Sequence, residues 1–522
     1  MNRPTLGAYL MKIRAALTRP GNAVFLCIAL PWVNPFAPGP SPAVIPFLVT
    51  SSCAGVLLLI WCQRLVRSGN SVLVVEVAAT AWALVATFSS LIAMLQYFGF
   101  AGDYAPWVNS AAIGEAYANL RQRNQFASLV NIGLVGLLWR FALGQRTPVS
   151  SDSALHPPSG KWLSALPLLG AAILGAGNAA SSSRTGLAQL LVIALLAIYW
   201  GQLRRRDVRY VLFTAGVTYA LAAFMLPQLV GLDPTANGIL ARLHDGGPAC
   251  ASRLTLWGNV LHLIAQKPWT GWGWGELDYA HFITLYHGPR FCEILDNAHN
   301  LPLHLAVELG LPVALLACGL ITWLVIRARP WRETDATRQM AWTILGLIML
   351  HSMLEYPLWY GPFQMTLVLC IWLLWRKPTA TQPSSDCTWP ALIASLLIVT
   401  TAYVAWDYHR ISQIYLAPEQ RTDVYRDNTL DKLKASWLFR DQVRFAELTT
   451  SDVTQENARE INALAKEVLH FSPESRVVIK VIESALIVGR DDEAQFYLQR
   501  FKVAYPLEHE RWAKGSASED IE

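Results

Sequence analysis

The sequence predicts an all-α, polytopic membrane protein that ends in a polar helical segment. Three observations carry that expectation: the composition, the recurrence of apolar stretches, and the sidedness of the cations. Of 522 residues, 53% are hydrophobic and only 15% charged, with 21 tryptophans; that is too little polar surface to clothe a water-soluble fold of this size. Apolar stretches of about 20 residues, enough to cross a hydrocarbon layer of roughly 30 Å, recur along the chain. Lys and Arg collect in alternate connections, as they do in segments held on the cytoplasmic side.

In chain order the expected spans are 21–37, 44–63, 71–98, 124–143, 162–180, 186–201, 210–231, 301–326, 339–356, 358–375 and 389–406, about eleven in all. With the N-terminus inside, the cytoplasmic connections hold Arg204, Arg205, Arg206 and Arg209, then Arg327, Arg329, Arg332 and Arg338, with further cations before 20, near 64–67, at 140–161 and at 376–377. The opposite loops hold few: Arg121, Arg123, Arg184, Arg242, Arg253, Lys267 and Arg290. An odd number of spans leaves the C-terminal segment outside. The basic start runs into the first span without an A-x-A-like cleavage site, so that helix is expected to serve as an anchor. The formal charge of +5 is this orientation signal; the expected surroundings are membrane lipids, and nothing calls for a nucleic acid.

The organisation that follows has N-terminal transmembrane helices over 1–231 with a short outer loop at 99–123, a large outer loop at 232–300 that carries the chemistry, transmembrane helices over 301–406, and an outer helical domain over 407–522. Ser/Thr/Pro-rich stretches at 147–160 and 378–388 read as linkers. In the last domain, "NAREINALAKEVLHF" and "RVVIKVIESALIVGRDDEAQFYLQRFKVAYP" place apolar residues at helical spacing, and the second has the punctuation of a tetratricopeptide-like helix pair. Cys250 and Cys292 are the two cysteines of the large outer loop, a candidate disulfide.

Candidate site residues gather at the outer membrane edge. Arg184 lies in "NAASSSRTGLAQLL", a tight outer hairpin where a cation opposes the positive-inside bias and calls for an anionic partner. Ser252 is expected to cap a helix whose Leu254, Trp257, Leu261 and Ile264 form one apolar face on the membrane surface, with Arg253 in its first turn. A cation there runs against the helix dipole unless an anion is close. "GWGWG" follows, a tight turn carrying two indoles. In "DNAHNLPLHLAVELG", His299 and Asn300 precede a span; beside cations an imidazole keeps a lowered proton affinity and can act as a base near neutral pH, with His304 as an orienting neighbour. "HSMLEYPLWYGPF" adds Glu355 as counter-ion to an arginine and Tyr356 as a donor to phosphate or acceptor. No D-x-D pair and no cluster of carboxylates or cysteines has metal-ligand spacing, so neither metal nor other cofactor is expected.

"SSSRTG", "SRLTLW" with "GWGWG", "DNAHNLPLHLAVELG" and "HSMLEYPLWY", in that order over 119–375, resemble the O-antigen ligase superfamily. "LRQRNQFASLV", with Gln122 and Asn124, resembles the signature of its protein O-oligosaccharyltransferases, although Arg123 and Gln125 stand where Pro and His are usual. The resemblance implies a bacterial inner-membrane enzyme with a periplasmic active site. It implies en bloc transfer of a glycan from an undecaprenyl-pyrophosphate carrier to a Ser or Thr hydroxyl of a pilin-like or other periplasmic protein. Arg184 and Arg253 would then hold the pyrophosphate and His299 would take the hydroxyl proton, with Asn300, Tyr356, Glu355, Gln122 and Asn124 binding substrate. The same fold also serves ligation to lipid A core or polymerisation of repeat units. A lipid-linked sugar transporter is the non-enzymatic alternative, and its expected midplane charges are represented here chiefly by Glu76.

Overall fold

The computed structural model describes residues 20–62, 71–143, 165–244, 249–375 and 387–515. The linkers expected at 147–160 and over most of 378–388, and the cations before 20, at 64 and 67, at 146 and 161 and at 376–377, lie outside them. Among the described residues every regular element is a helix.

In order these are α1 (Pro20–Val33), α2 (Val44–Cys62), α3 (Ser71–Tyr97), α4 (Arg123–Leu138), α5 (Leu166–Ala180), α6 (Arg184–Tyr199), α7 (Arg206–Leu229), α8 (Gly238–His244), α9 (Arg253–Gln266), α10 (Leu277–Ile283), α11 (Leu301–Leu309), α12 (Leu311–Ala328), α13 (Ala336–Ser352), α14 (Gly361–Trp375) and α15 (Thr388–Ser412). The polar C-terminal helices are α16 (Thr429–Leu433), α17 (Arg440–Thr450), α18 (Ala458–Phe471), α19 (Ser475–Val488), α20 (Asp491–Ala504) and α21 (Pro506–Ala513).

Five segments are long and apolar enough to cross a membrane: Val44–Trp61, Val74–Tyr97, Arg206–Leu229, Leu311–Arg332 and Thr388–Tyr415. Gly21–Val33, Leu166–Ala180, Arg184–Tyr199 and Gly361–Trp375 are shorter apolar helices. By the length and composition of these helices, this is a multi-pass membrane protein. One expected span divides: the stretch 301–326 breaks at Gly310, so the apolar crossing segment begins at Leu311 and α11 stands as a separate short helix.

The chain forms two compact units, one of Met1–Ala37, Ser41–Asp245 and Val325–Tyr403, the other of Pro38–Pro40, Gly246–Leu324 and Val404–Glu522. The first is built around α3 and α4. Nearly every residue of α4 from Gln125 to Leu138 is buried, packed with Trp82, Ala86, Leu174, Ile344 and Phe363 in one core. Apolar helices gain little from the hydrophobic effect inside lipid, so polar groups tie them instead. Here the Ser128 hydroxyl stands 2.9 Å from His351 Nδ1. Gln189 donates to Ser128 Oγ at 2.9 Å and to the Leu347 carbonyl at 3.0 Å, and Asn131 donates to the Gly186 carbonyl at 3.0 Å. The network binds α4, α6 and α13 together and so sets where α4 and α6 begin. The loop expected at 99–123 is organised by the buried Gln96, whose side chain donates to the Asn109 and Ala118 carbonyls and accepts from the Tyr117 and Ala118 amides.

In the second unit, α9, α11 and residues 291–298 share a core of Leu256, Val260, Leu263, Leu295 and Val307. The C-terminal helices share another, with Phe445, Leu469, Val478, Val481 and Phe501 at its centre.

Candidate active site

In the first unit, two helix starts are held side by side. Gln122 caps α4 by accepting from the Gln125 amide at 2.6 Å, and Ser183 caps α6 by accepting from the Gly186 amide at 3.0 Å. Ser183 Oγ also donates to Asn124 Oδ1 at 2.6 Å, while Asn124 Nδ2 donates to the buried Glu355 at 3.1 Å. One asparagine in the first turn of α4 therefore joins the α6 cap to Glu355. The residue before each cap, Arg121 at φ 58° and Ser182 at φ 51°, is left-handed, a conformation costly for side-chain-bearing residues that recurs at functional sites.

Three guanidinium groups surround these helix starts. Arg184 opens α6 and is exposed. Arg123 opens α4 and pairs with Glu115 at 3.1 Å. Arg242, on the short α8, donates to the Ser182 carbonyl at 3.2 Å. Burial pulls the Arg242 guanidinium below its usual range, and the neighbouring Arg123 and Arg184 pull it further, with Glu115 and Glu355 opposing. The amides at a helix start already favour an anion. Two such ends with three cations and two carboxylates make a site with unspent positive charge. Tyr356 follows Glu355 and stacks on Tyr360, centroids 6.1 Å apart. Gln122, expected to bind substrate, has its side-chain oxygen engaged in the cap.

The second unit holds the other expected residues. Ser252 caps α9, accepting from the Thr255 amide at 3.2 Å, so Arg253 is the first helical residue. Beside the face expected on the membrane surface, α9 buries a second stripe in the protein: Leu256, Val260, Leu263 and Ile264 pack inward, while Leu254 and Leu261 are 80% and 55% exposed. The core formed with α11 and 291–298 captures the neighbouring stripe. Leu254 and Leu261 are left outward, where an apolar surface suits a membrane.

One turn after Arg253, the Trp257 indole donates to the Ala298 carbonyl at 3.1 Å. That ties α9 to the turn presenting His299, a residue at φ 50° whose amide donates to Asn297 Oδ1 at 2.8 Å. Asn300 caps α11 by accepting from the Leu303 amide at 3.1 Å. Cys250 and Cys292 are joined as a disulfide, their Cα atoms 5.4 Å apart. Of the "GWGWG" indoles, Trp272 is folded in, donating to the Leu263 carbonyl at 3.0 Å under Lys267, while Trp274 is 64% exposed.

The structure thus groups Arg184 with Asn124, Glu355 and Tyr356 in one unit, and Arg253 with His299, Asn300 and the disulfide in the other. Sequence reasoning did not single out Arg242 or Ser183. The one signal for Arg242 was its place among the few cations of the outer loops. Among the described residues, no three His, Cys, Asp or Glu side chains converge to hold a metal ion.

A helical membrane protein whose helix starts carry capped arginines matches known proteins in three segments. Residues 116–141 match the protein glycosylation ligase family, 169–318 the O-antigen ligase family, and 339–518 the C-terminal family of virulence factor membrane-bound polymerases. Over these segments the chain is similar to the O-antigen ligase superfamily and its protein glycosylation ligases. Within it, relatives include a general O-oligosaccharyltransferase of Acinetobacter baylyi, 26% identical over 53% of this chain and 47% of its own length. A ComP-specific O-oligosaccharyltransferase of the same organism is 25% identical over 57% and 50%, and an O-antigen ligase of Pseudomonas aeruginosa 26% over 35% and 40%. The chain therefore spans about half the length of the transferases it matches. No solved structure matches it.

Proposed function

We propose that this chain is a glycosyltransferase that moves a glycan en bloc from an undecaprenyl-pyrophosphate carrier to Ser or Thr hydroxyls of a pilin-like or other periplasmic protein. The observation that carries the proposal is the pair of helix starts, α4 and α6, tied through Asn124 and Ser183 and surrounded by Arg123, Arg184 and Arg242. A pyrophosphate leaving group develops charge as the anomeric bond breaks. Fixed guanidinium forks and helix-start amides meet that charge without reorganising. We assign Arg184, with Arg123 and Arg242, to the pyrophosphate, and Arg253 to the same anion.

His299 would remove the acceptor hydroxyl proton, the oxygen attacking the anomeric carbon in line and inverting it. Asn300, Glu355, Tyr356, Gln122 and Asn124 orient the substrates directly or by holding the caps. The reading includes about eleven spans in a bacterial inner membrane with the site facing the periplasm. It takes the C-terminal helices as a tetratricopeptide-like partner-docking domain. The match of 339–518 to membrane-bound polymerases favours one second reading, polymerisation of repeat units, with ligation to lipid A core beside it.

The test is transfer by the purified protein from an undecaprenyl-pyrophosphate-linked oligosaccharide to a purified pilin, followed by intact mass. The expected result is a pilin heavier by one glycan, formation that persists in excess EDTA, and loss with His299→Ala. Glycan chains that lengthen while pilin stays unmodified support the polymerase instead. Full activity of His299→Ala removes the base assignment.

A further inference from the structure

We propose that Glu308 and His304 are positioning residues that fix the His299 turn and the Gly271–Gly275 loop to a single helix through one continuous hydrogen-bonded relay. The proposal rests on the reading of His299 as the residue that activates the acceptor. Both groups lie outside the set that meets substrate: His304 is 3% and Glu308 2% exposed.

α11 is a strut of nine residues with functional chain at each end. His299 and the Asn300 cap stand at its start. At its other end the indole-bearing loop is stitched on, the Trp272 amide donating to the Val307 carbonyl at 2.8 Å and the Gly273 amide to the Glu308 carbonyl at 3.0 Å. The approach is so close that a Cβ on Gly310 would stand 2.3 Å from the Trp269 carbonyl oxygen, and one on Gly271 2.3 Å from that of Glu308. Both glycines also have positive φ, which explains the residue choice around the paired tryptophans.

The relay runs along the inside of this strut. The Ala298 amide, immediately before His299, points at His304 Nδ1 at 3.5 Å. His304 Nε2 stands 3.4 Å from Glu308 Oε2. Glu308 Oε1 accepts from the Gly275 amide at 3.1 Å. Backbone amides can only donate, so Nδ1 must accept and the ring proton must sit on Nε2, aimed at Glu308. Glu308 is then approached by donors from both sides, and only a carboxylate accepts from both. Glutamine would turn its NH2 toward one of the two donors, and a protonated Glu308 would force the ring into the tautomer that opposes the Ala298 amide.

Burial, with His299 nearby, lowers His304 to about 4, so the imidazole is neutral. Burial raises Glu308 to about 7; Glu276 adds to the rise and the Gly275 amide opposes it. The core around this strut holds Leu256, Val260, Leu263 and Leu277; the titratable groups that act on the pair are Glu276 on Glu308 and His299 on His304, with Asp278 of α10 and Asp296 of the His299 turn interacting with those two in turn. A buried carboxylate facing a neutral ring is a costly way to hold a helix, but it is the group that two converging donors require. Trp274, its ring 6.4 Å from His304, is placed by the same relay.

The experiment compares full-length wild type, Glu308→Ala, Glu308→Gln and His304→Ala in nanodiscs by amide hydrogen exchange and by transfer kinetics. The donor is an undecaprenyl-pyrophosphate-linked trisaccharide and the acceptor a purified pilin. Glu308→Ala is expected to speed exchange at least tenfold in both 271–275 and 296–300, and His304→Ala in 296–300 alone. Both should lower kcat tenfold or more with KM within twofold. Wild-type transfer should rise with pH through about 7, where Glu308 ionises, and Glu308→Gln, which keeps the side-chain shape if Ala does not fold, should lose that limb. Unchanged exchange in Glu308→Ala, or wild-type kcat in Glu308→Gln, overturns the relay. If wild type transfers nothing, the functional reading fails while the exchange data still decide the relay.

Discussion

At the scale of single residues, the informative feature is a cation placed where a cation is unfavourable. Arg184 and Arg123 both open helices, against the local dipole, and burial together with those two neighbours pulls the Arg242 guanidinium below its usual range. Three guanidinium groups held this way repel one another unless an anion joins them. Arg242 carries a specific consequence, since the Ser182 carbonyl already aims it. Arg242→Ala should lower kcat for transfer by 10²- to 10³-fold, the usual cost of one fixed donor to developing charge. Arg242→Lys should recover only part, because an ammonium lacks the planar fork that grips phosphate oxygens in pairs. Initial-rate kinetics at saturating donor check it; a loss confined to KM would mean that Arg242 binds the ground state alone.

At the scale of elements, the segment 249–300 is short of core and depends on staples. α9 buries one stripe of apolar side chains and α10 is only seven residues long, so the Cys250–Cys292 disulfide, closing a sequence separation of 42 residues, has a large share in holding it. Replacing both cysteines by serine should destabilise this segment by roughly 2–4 kcal/mol, the usual range for such a loop. Limited proteolysis within 249–300 should speed accordingly, with that of the first unit unchanged.

Much of this scale was legible from sequence, because its signals are local: the Ser252 cap with Arg253 behind it, and two cysteines in one loop. What stayed hidden depended on neighbours distant in the chain. The second stripe of α9, buried against α11 and 291–298, has no counterpart in the helix's own spacing. The break at Gly310 is required by the close pass of the Trp269 carbonyl. Arg242 reaches Ser182 from 60 residues away, a distance no motif spans.

At the scale of the molecule, the sequence reads the loop 232–300 and the C-terminal helices over 407–522 as separate domains; in the structure the part of that loop from Gly246 onward shares one compact unit with the C-terminal helices, while the part before it belongs to the first unit. The joint is α10. Tyr279 stacks on His470 with centroids 3.8 Å apart, His470 Nδ1 lies 2.7 Å from Glu276, and Arg500 donates to the Ile283 carbonyl at 2.7 Å. Phe282, 2% exposed, belongs to the same core as Phe445, Val478 and Phe501. The signal was invisible in the sequence because α10 shows only a seven-residue helix, too short for an amphipathic period to declare what it packs against. If the C-terminal helices complete their core with this loop side chain, removing it must weaken both. Phe282→Ala leaves a cavity whose cost is about 3–5 kcal/mol for a buried phenylalanine. The expected outcome is faster proteolysis in the loop and in 440–515 together, with a single lowered transition for the two. The rival outcome, cleavage that speeds in the loop while 440–515 keeps its wild-type resistance, would mean that the C-terminal helices fold without the loop. The loop would then have to hold His299 in place through the disulfide and α11 alone.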